Sequence, residues 1–304
     1  MSIPDEWTWS DGEIEVLARA AIRAPSAHTG RPWSLSLPGR RAELREQNEP
    51  TVSEHDATAR DGLIYSGAAL ANLVLAVRVL GWAIEVEIPT ERGRLVAAVA
   101  ASGREPPSER ELHEYAAIPR RRTYRRPFAE IPVASSMLPA IVGRLPDGIG
   151  CRVLRPGEEV VLAALFERAS RTSTEGDAAV RREIEDWIGD RSPGTTGRPW
   201  AGIIGRKSRD TQSFARRLAA ETLVIFCAED DGRAGRVRAG TAMQRSWLAA
   251  VDGGLVASVL TRLPSEESLR AWMAAEMTLP GRPLSVMRLG YPDGPAHQAA
   301  PPTR

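Results

Sequence analysis

The chain has few residues that could cross-link it or hold a metal: two cysteines and four histidines among 304 residues. Cys151 and Cys227 lack a CxxC spacing and sit in apolar, strand-like runs, so buried free thiols are favoured over a disulfide or a metal site. The histidines form no i,i+4 pair and no H-E-x-x-H, so we predict no metal centre. We interpret Asp230 and Asp231 as caps of the helix that follows them.

The chain also lacks an excess of positive or negative charge, since its formal net charge is +1. This balance gives no bulk reason to expect nucleic acid or an acidic membrane as a partner. Lys207 is the only lysine, so arginine supplies nearly all the positive charge. The N-terminal stretch "MSIPDEWTWSDGE" is acidic and lacks the apolar core of a signal peptide. No apolar run is expected to reach the ~20 residues that span a bilayer, and the protein is predicted to be cytoplasmic.

Periodicity and capping signals predict a mixture of helices and strands. Ser10 and Glu13 form a capping box before a helix over 11–23, which Pro25 ends. Residues 61–80 are apolar nearly all round, which predicts a helix buried on every face. The other predicted helices cover 108–118, 135–145, 157–170, 177–188, 236–255 and 265–276, and the predicted strands cover 33–37, 42–47, 82–88, 94–100, 151–155, 221–230 and 282–291.

Two of these helices share a glycine spacing, since Gly67 to Gly81 matches Gly240 to Gly254. Each follows one set of strands and precedes another, so two duplicated halves are favoured over a chance likeness. The offset between matched elements is about 118 residues near the start of each half. It is 173 at the glycines (240 minus 67). The second half is therefore predicted to hold an insertion of roughly 55 residues.

The stretch "TGRPW" occurs at 29–33 and again at 196–200. Only the first copy is followed by an alternating run typical of a strand. The second copy falls in the predicted insertion, within an irregular segment over 189–212. We interpret the repeat as a coincidence of a Gly-Arg-Pro turn, and the second copy is either an active-site lid element or a plain surface loop.

Four motifs together carry a family resemblance. "APSAHTGRPW" resembles the A-P-S-x-x-N-x-Q-P-W loop of FMN-dependent nitroreductases, and "RRTYRRPF" resembles their R-R-S-x-R loop. "AGTAMQRSWLAAVDGGLVAS" is similar to the family's long interface helix, and "SVMRLGYPDG" to its last strand. The order of the motifs over residues 11–304 looks like the Acg-type branch, in which two nitroreductase-like halves are fused. The resemblance implies an α+β fold, with two halves forming an intramolecular pseudo-dimer around long central helices.

The resemblance also implies the domain organisation and one composite FMN site. The halves are expected at 1–118 and 119–304, with inserted helices and a candidate lid over 156–215. The second possible site lacks its motifs, because "SIPDEWTWS" has no arginine and "RLPDGIG" has no serine. A monomer therefore suffices for one site, and a homodimer is possible. The cofactor-binding residues that the resemblance implies are Pro25, Ser26, Ala27, His28, Arg121, Arg122, Thr123, Arg125, Arg216 and Arg304.

Arginine suits this role because its planar fork binds phosphate through bidentate, charge-assisted hydrogen bonds. Arg121, Arg125 and Thr123 are expected to contact the phosphate and the polar edge of the flavin. Without the family pattern, "RRRTYRR" would be interpreted as a solvated basic loop. The chain departs from the family pattern at Thr29 and Arg31, which replace its Asn and Gln. We expect these departures to alter the substrate or the flavin's reactivity rather than to abolish binding.

The function implied is an FMN-dependent oxidoreductase that passes electrons between NAD(P)H and an organic acceptor by a ping-pong mechanism. No catalytic side chain is assigned, because the cofactor carries the hydride chemistry. Two alternatives remain open: a flavin-sequestering protein with little turnover, and a biosynthetic flavin oxidase or dehydrogenase.

Overall fold

The fold is built from two four-stranded antiparallel sheets with helices around them, as seen in a computed structural model. The structure describes residues 8–26, 31–47, 57–91, 93–143, 145–171, 209–261, 263 and 267–293. This mixture of helix and sheet in two sets confirms the predicted α+β class. The predicted helix 177–188 and most of the candidate lid lie outside the described residues.

The first set of elements follows the predicted order. The capping box is present, because the Ser10 side chain accepts from the Glu13 amide while Glu13 bonds back to the Ser10 amide. The elements are α1 (Asp11–Ile22), β1 (Trp33–Ser36), β2 (Arg41–Glu46), α2 (Ala57–Val79), β3 (Trp82–Glu87), β4 (Leu95–Arg104) and α3 (Glu109–Ala117).

The second set repeats this order with additions. Residues 135–145, predicted as one helix, form a 3-10 turn (Ser135–Met137) and a short helix, because Pro139 can sit only near a helix start. A helix over Arg209–Ala219 was not predicted. The elements are α4 (Leu138–Val142), β5 (Ile149–Val153), α5 (Glu159–Arg171), α6 (Arg209–Ala219), β6 (Thr222–Ala228), α7 (Arg233–Asp252), β7 (Val256–Leu260), α8 (Glu267–Glu276) and β8 (Arg282–Gly290).

The two sheets have the same strand arrangement. The first runs β1-β2-β4-β3 and the second β5-β6-β8-β7, with every neighbouring pair antiparallel. The connection β1–β2 is a tight turn, whereas β5 and β6 are separated by α5 and α6. The extra chain of the second set therefore lies between β5 and β6.

The long helices α2 and α7 cross at the centre of the molecule, and two glycines set the closeness of the crossing. A Cβ on Gly67 would collide with the Val237 carbonyl oxygen, and a Cβ on Gly240 would collide with that of Ile64. Both partners are 173 residues apart (240 minus 67; 237 minus 64), so the crossing is reciprocal. Only glycine permits this approach of two backbones.

The helix α2 corrects one expectation. Its stretch Arg60–Val79 is long and apolar enough to cross a membrane by length and composition, whereas no such run was expected. However, 78% of that apolar window is buried inside the protein, as in the core helix of a globular fold. Inside the crossing, the buried Gln244 Nε2 donates to Asn72 Oδ1 at 2.9 Å, and Asn72 Nδ2 donates to the Ala20 carbonyl at 2.9 Å.

Two smaller predictions have different outcomes. Cys151 and Cys227 are free thiols, as expected, and burial raises the pKa of each to about 12. The capping prediction at Asp230 and Asp231 was wrong, because α7 begins after Gly232 without a side-chain cap. Asp230 instead accepts from the Gly232 amide at 2.8 Å, and the Asp231 carboxylate is occupied by two arginines.

Candidate functional site

The candidate site centres on the arginine loop, which we define as residues 119–128. This loop lies along β7, the edge strand of the second sheet. Thr123 forms a parallel bridge with Ala257, and the Tyr124 amide donates to the Ala257 carbonyl at 2.9 Å. Arg120 Nη2 bonds Asp252 at 3.0 Å, which fixes the start of the loop to the end of α7. The loop is therefore held at both the strand and the helix.

Arg121 joins the arginine loop to the end of α1. Its Nη2 donates to the Arg23 carbonyl at 3.2 Å, and its guanidinium carbon lies 4.5 Å from the centroid of the Trp247 ring. Its Nε and Nη1 are buried without a hydrogen-bond partner in the described part of the chain. Burial, and secondarily the charge of Arg122, lowers the pKa of Arg121 to about 10. A partly buried cation whose Nε and Nη1 are buried without partners is suited to an anion.

The loop after α1 approaches the same point. Arg23, whose carbonyl Arg121 bonds, is the C-cap of α1. Pro25 and Ser26 follow it, the first buried and the second exposed. Arg121 of the second motif thus bonds the chain two residues before Pro25 and three residues before Ser26 of the first motif. Ala27 and His28 lie outside the described residues.

For the remaining predicted site residues that it describes, the structure shows no hydrogen bond with the end of α1. Arg122, Thr123 and Arg125 are exposed on the arginine loop, while Arg304 lies outside the described residues. Arg216 is exposed in the last turn of α6, and its Nε bonds the Gln212 carbonyl at 3.4 Å. Among the described residues no hydrogen bond or ion pair joins Arg216 to the loop.

Arg288 on β8 was not predicted as a site residue, and it holds the arginine loop through hydrogen bonds to the loop's backbone. Its side chain is 1% exposed. Nη2 donates to the carbonyl of Arg126 at 2.9 Å and, more weakly, to that of Tyr124 at 3.4 Å. Nε donates to Ser258 at 2.9 Å, and Nη1 pairs with Glu221 at 2.8 Å. The only sequence signal is one cation in the otherwise apolar run "SVMRLG".

The carboxylate that balances Arg288 is itself strained electrostatically. Burial raises the pKa of Glu221, although the charges of Arg288 and Arg217 act in the opposite direction. One Glu221 oxygen, Oε2, is buried without a hydrogen-bond partner in the described structure. It is therefore Arg217, the neighbour of the predicted Arg216, that acts on this network.

A further contact links the two sets of elements near β7. The hydroxyl groups of Tyr65 on α2 and Thr261 at the end of β7 are hydrogen-bonded at 3.1 Å, and both residues are buried. Two polar side chains from opposite halves therefore meet beside the strand that carries the arginine loop. Within the described residues, no group of three or more His, Cys, Asp or Glu side chains could hold a metal ion.

Known proteins similar to this chain come from Mycobacterium tuberculosis. It is 26% identical over 302 residues to "Putative NAD(P)H nitroreductase Rv3131", covering 91% of this chain and 85% of that protein. It is 25% identical over 319 residues to "Putative NAD(P)H nitroreductase acg", covering 99% and 94%. No family model matches the chain. The resemblance to the nitroreductase family and its Acg-type branch is confirmed by these relatives.

Solved structures give a weaker comparison. An FMN-dependent nitroreductase, NfnB, from Mycobacterium smegmatis in complex with NADPH has a TM-score of 0.40 and 17% identity, covering 60% of this chain and 88% of its own. A nitroreductase with bound FMN from Desulfitobacterium hafniense has a TM-score of 0.42 and 12% identity, covering 60% and 90%. The fold is therefore defined by the strand topology described above.

Proposed function

We propose, from the similarity to the nitroreductase family, that this chain is an FMN-dependent oxidoreductase that takes electrons from NAD(P)H and passes them to an organic acceptor. The halves are then residues 1–118 and 119–304, and the single flavin site lies between them. The observation that carries the proposal is Arg121, a partly buried cation with two buried, unpartnered N–H groups beside the end of α1.

The residues of the site fit the cofactor by charge. A flavin phosphate carries close to two negative charges, and arginine is the side chain best suited to it. Arg121 would hold the phosphate or the polar edge of the flavin, with Arg125, Thr123 and Ser26 as further donors. Binding would restore to Arg121 the hydrogen bonds that burial has removed, which favours the complex.

The other residues of the site position the loop and the cofactor and take no part in bond making or breaking. When bound, the flavin supplies the hydride chemistry. Arg288 fixes the backbone of the arginine loop through the carbonyls of Tyr124 and Arg126. Arg121, stacked over the Trp247 ring, would keep positive charge beside the cofactor. A ping-pong exchange would follow if reductant and acceptor enter the same cleft in turn.

The alternatives differ in what the bound flavin does. A flavin-sequestering protein would hold FMN without turnover, and a biosynthetic oxidase or dehydrogenase would use another electron donor. Stopped-flow mixing with NADPH and NADH separates them, because rapid bleaching of the flavin is expected only for the reductase. Parallel lines in double-reciprocal plots against the acceptor would support the ping-pong exchange. A colourless protein that FMN does not reconstitute would contradict all three.

The test of the site is the variant Arg121→Met. Losing charge-assisted hydrogen bonds costs about 3 kcal/mol, so FMN should bind about 100-fold more weakly. The measurement is flavin fluorescence quenching on titration of the apoprotein. Arg19→Met is the matched control, because Arg19 is exposed on α1 and paired only with Glu15 in the described structure. Equal FMN affinity in Arg121→Met and the wild type would refute the assignment.

A further inference from the structure

A second group of arginines lies near the starts of α2 and α7 and on α8, and none of its members belongs to the arginine loop. Arg60 and Arg270 are each 5% exposed. The Asp231 carboxylate pairs with Arg270 at 2.7 Å and with Arg236 at 2.9 Å. Asp61 is the second carboxylate that acts on Arg60. Among the described residues, three guanidinium groups therefore share two carboxylates, which leaves a positive excess.

Arg60 carries this excess charge. Among the described residues no ion pair joins it to a carboxylate, and its Nε is buried without a hydrogen-bond partner. Asp231, the nearby acid, is already engaged by Arg236 and Arg270. The Nε of Arg270 is likewise buried and unpartnered. Two buried donors from two different elements thus remain in one cluster.

Burial of this kind is costly for an arginine. It lowers the pKa of Arg60, and the neighbouring charge of Arg270 lowers it further. A desolvated cation is stabilised only by opposite charge and by acceptors for its N–H groups. The protein supplies part of the charge through Asp231 and Asp61 but not the hydrogen bonds to Nε. An oxyanion would supply both.

The matched position on the other long helix shows that the fold does not require this arrangement. Arg233 lies 173 residues after Arg60 (233 minus 60), which is the offset of the crossing glycines. Its Nη1 pairs with Glu46 at 2.7 Å, and its Nη2 donates to the carbonyls of Gly93 and Leu95 at 2.9 and 3.1 Å. The Nε of Arg233 is also buried without a hydrogen-bond partner, so the difference is that this helix position has an ion pair in one half and none among the described residues in the other.

The helix that carries Arg60 also contacts the strand that carries the arginine loop. Tyr65 lies five residues after Arg60, roughly 7.5 Å further along the helix axis. Its hydroxyl bonds Thr261 at the end of β7, and β7 pairs with the arginine loop at Thr123. The chain thus connects the cluster to the arginine loop through α2 and β7.

We propose that Arg60 and Arg270 form an oxyanion-binding subsite, which takes the phosphate or carboxylate group of a small-molecule ligand. The subsite stands on its own contacts and not on flavin binding. That its ligand is the electron donor or acceptor of the flavin rests on the proposed function.

The test is calorimetric titration of the full-length protein with inorganic phosphate and, separately, with acetate, both at an ionic strength fixed with chloride. Arg60→Met should weaken phosphate binding about 30-fold, as expected for the loss of one charge-assisted contact. Arg60→Lys should retain part of the affinity, because it keeps the charge. Arg19→Met, on the exposed face of α1, should bind as the wild type does. Binding of phosphate alone or of acetate as well identifies the group that the subsite takes.

Two further variants keep this proposal separate from the flavin site. Arg121→Met should lose FMN and still bind phosphate through Arg60. Arg60→Met should retain FMN, and its thermal midpoint without phosphate should not fall below that of the wild type. Unchanged phosphate affinity in Arg60→Met, or no binding of either anion by the wild type, would overturn the subsite whatever the flavin does.

Discussion

Arg288 of β8 and Ala100 of β4 occupy matched positions in the two sheets, and they differ in both size and charge. Ser258 pairs with Arg288, and Glu85 pairs with Ala100; the two partners are again 173 residues apart (258 minus 85). In the second sheet the buried arginine reaches out to hold the arginine loop. In the first sheet an alanine stands there. The two sheets share one strand order, but only the second sheet has a side chain that anchors the arginine loop.

The long helices show the reverse asymmetry. Arg233 bonds three acceptors of the first half, whereas Arg60 has no carboxylate of its own in the described structure. The half that anchors the arginine loop therefore also contributes the ion-paired arginine, and the other half contributes one that has no ion pair among the described residues. Two matched frameworks have been specialised by single charged residues rather than by a change of topology.

The largest effect is expected from Arg288→Met. This change leaves Glu221 buried without its ion-pair partner and removes the donor to Arg126, so it should lower the free energy of unfolding by about 4 kcal/mol. Urea denaturation would measure it. Adding Glu221→Gln should restore part of the loss, because the uncompensated charge is then gone. If the two changes are simply additive, the pair does not stabilise the loop anchor.

The loss in Arg288→Met should also depend on pH. Burial already raises the pKa of Glu221, and removing Arg288 takes away an opposing charge, so the pKa rises further. A carboxyl group whose folded pKa is raised stabilises the fold less as pH rises through its unfolded and then its folded pKa. The deficit should therefore be smaller at acid pH than at alkaline pH. The opposite trend would contradict the assignment of Glu221.

The next effect tests whether the helix crossing is truly reciprocal. Gly67→Ala and Gly240→Ala each place a Cβ on a carbonyl of the opposite helix, so each should cost about 3 kcal/mol in unfolding free energy. The two losses should be similar. Gly12→Ala on α1 is the control, since nothing lies within 4 Å of its Cβ, and it should be neutral or slightly stabilising. A large difference between the losses of unfolding free energy in Gly67→Ala and Gly240→Ala would show that the crossing is not reciprocal.

These comparisons also show what the sequence could predict. The central helices were predictable because residues 61–80 and 236–255 carry their burial in their own composition, and the equal glycine spacing marked the crossing. The arginine loop was found through its family motif. Arg288 was not predicted, because its partners Glu221, Ser258 and Arg126 lie far apart in the chain. No local pattern in "SVMRLG" distinguishes a buried anchor from a surface arginine.

Other misses have the same physical origin. The cap predicted at Asp231 followed from local helix chemistry, but ion pairs with Arg236 and Arg270 from the tertiary fold determine its role instead. The helix Arg209–Ala219 begins inside the segment 189–212, whose composition masks any period. Local signals thus predicted elements well where burial is uniform and poorly where one charged group meets distant partners.

The smallest effects should come from the two matched arginines, and they should have opposite signs. Arg233→Met leaves Glu46 partly buried without its partner and should cost about 2 kcal/mol, less than a fully buried pair because Glu46 is 20% exposed. Arg60→Met removes a buried cation whose Nε lacks a hydrogen-bond partner and should raise stability by about 1 kcal/mol in phosphate-free buffer. Urea denaturation of both variants gives the comparison directly. If Arg60→Met is as damaging as Arg233→Met, then Arg60 is a structural residue like its counterpart and the two ends of the crossing are not specialised.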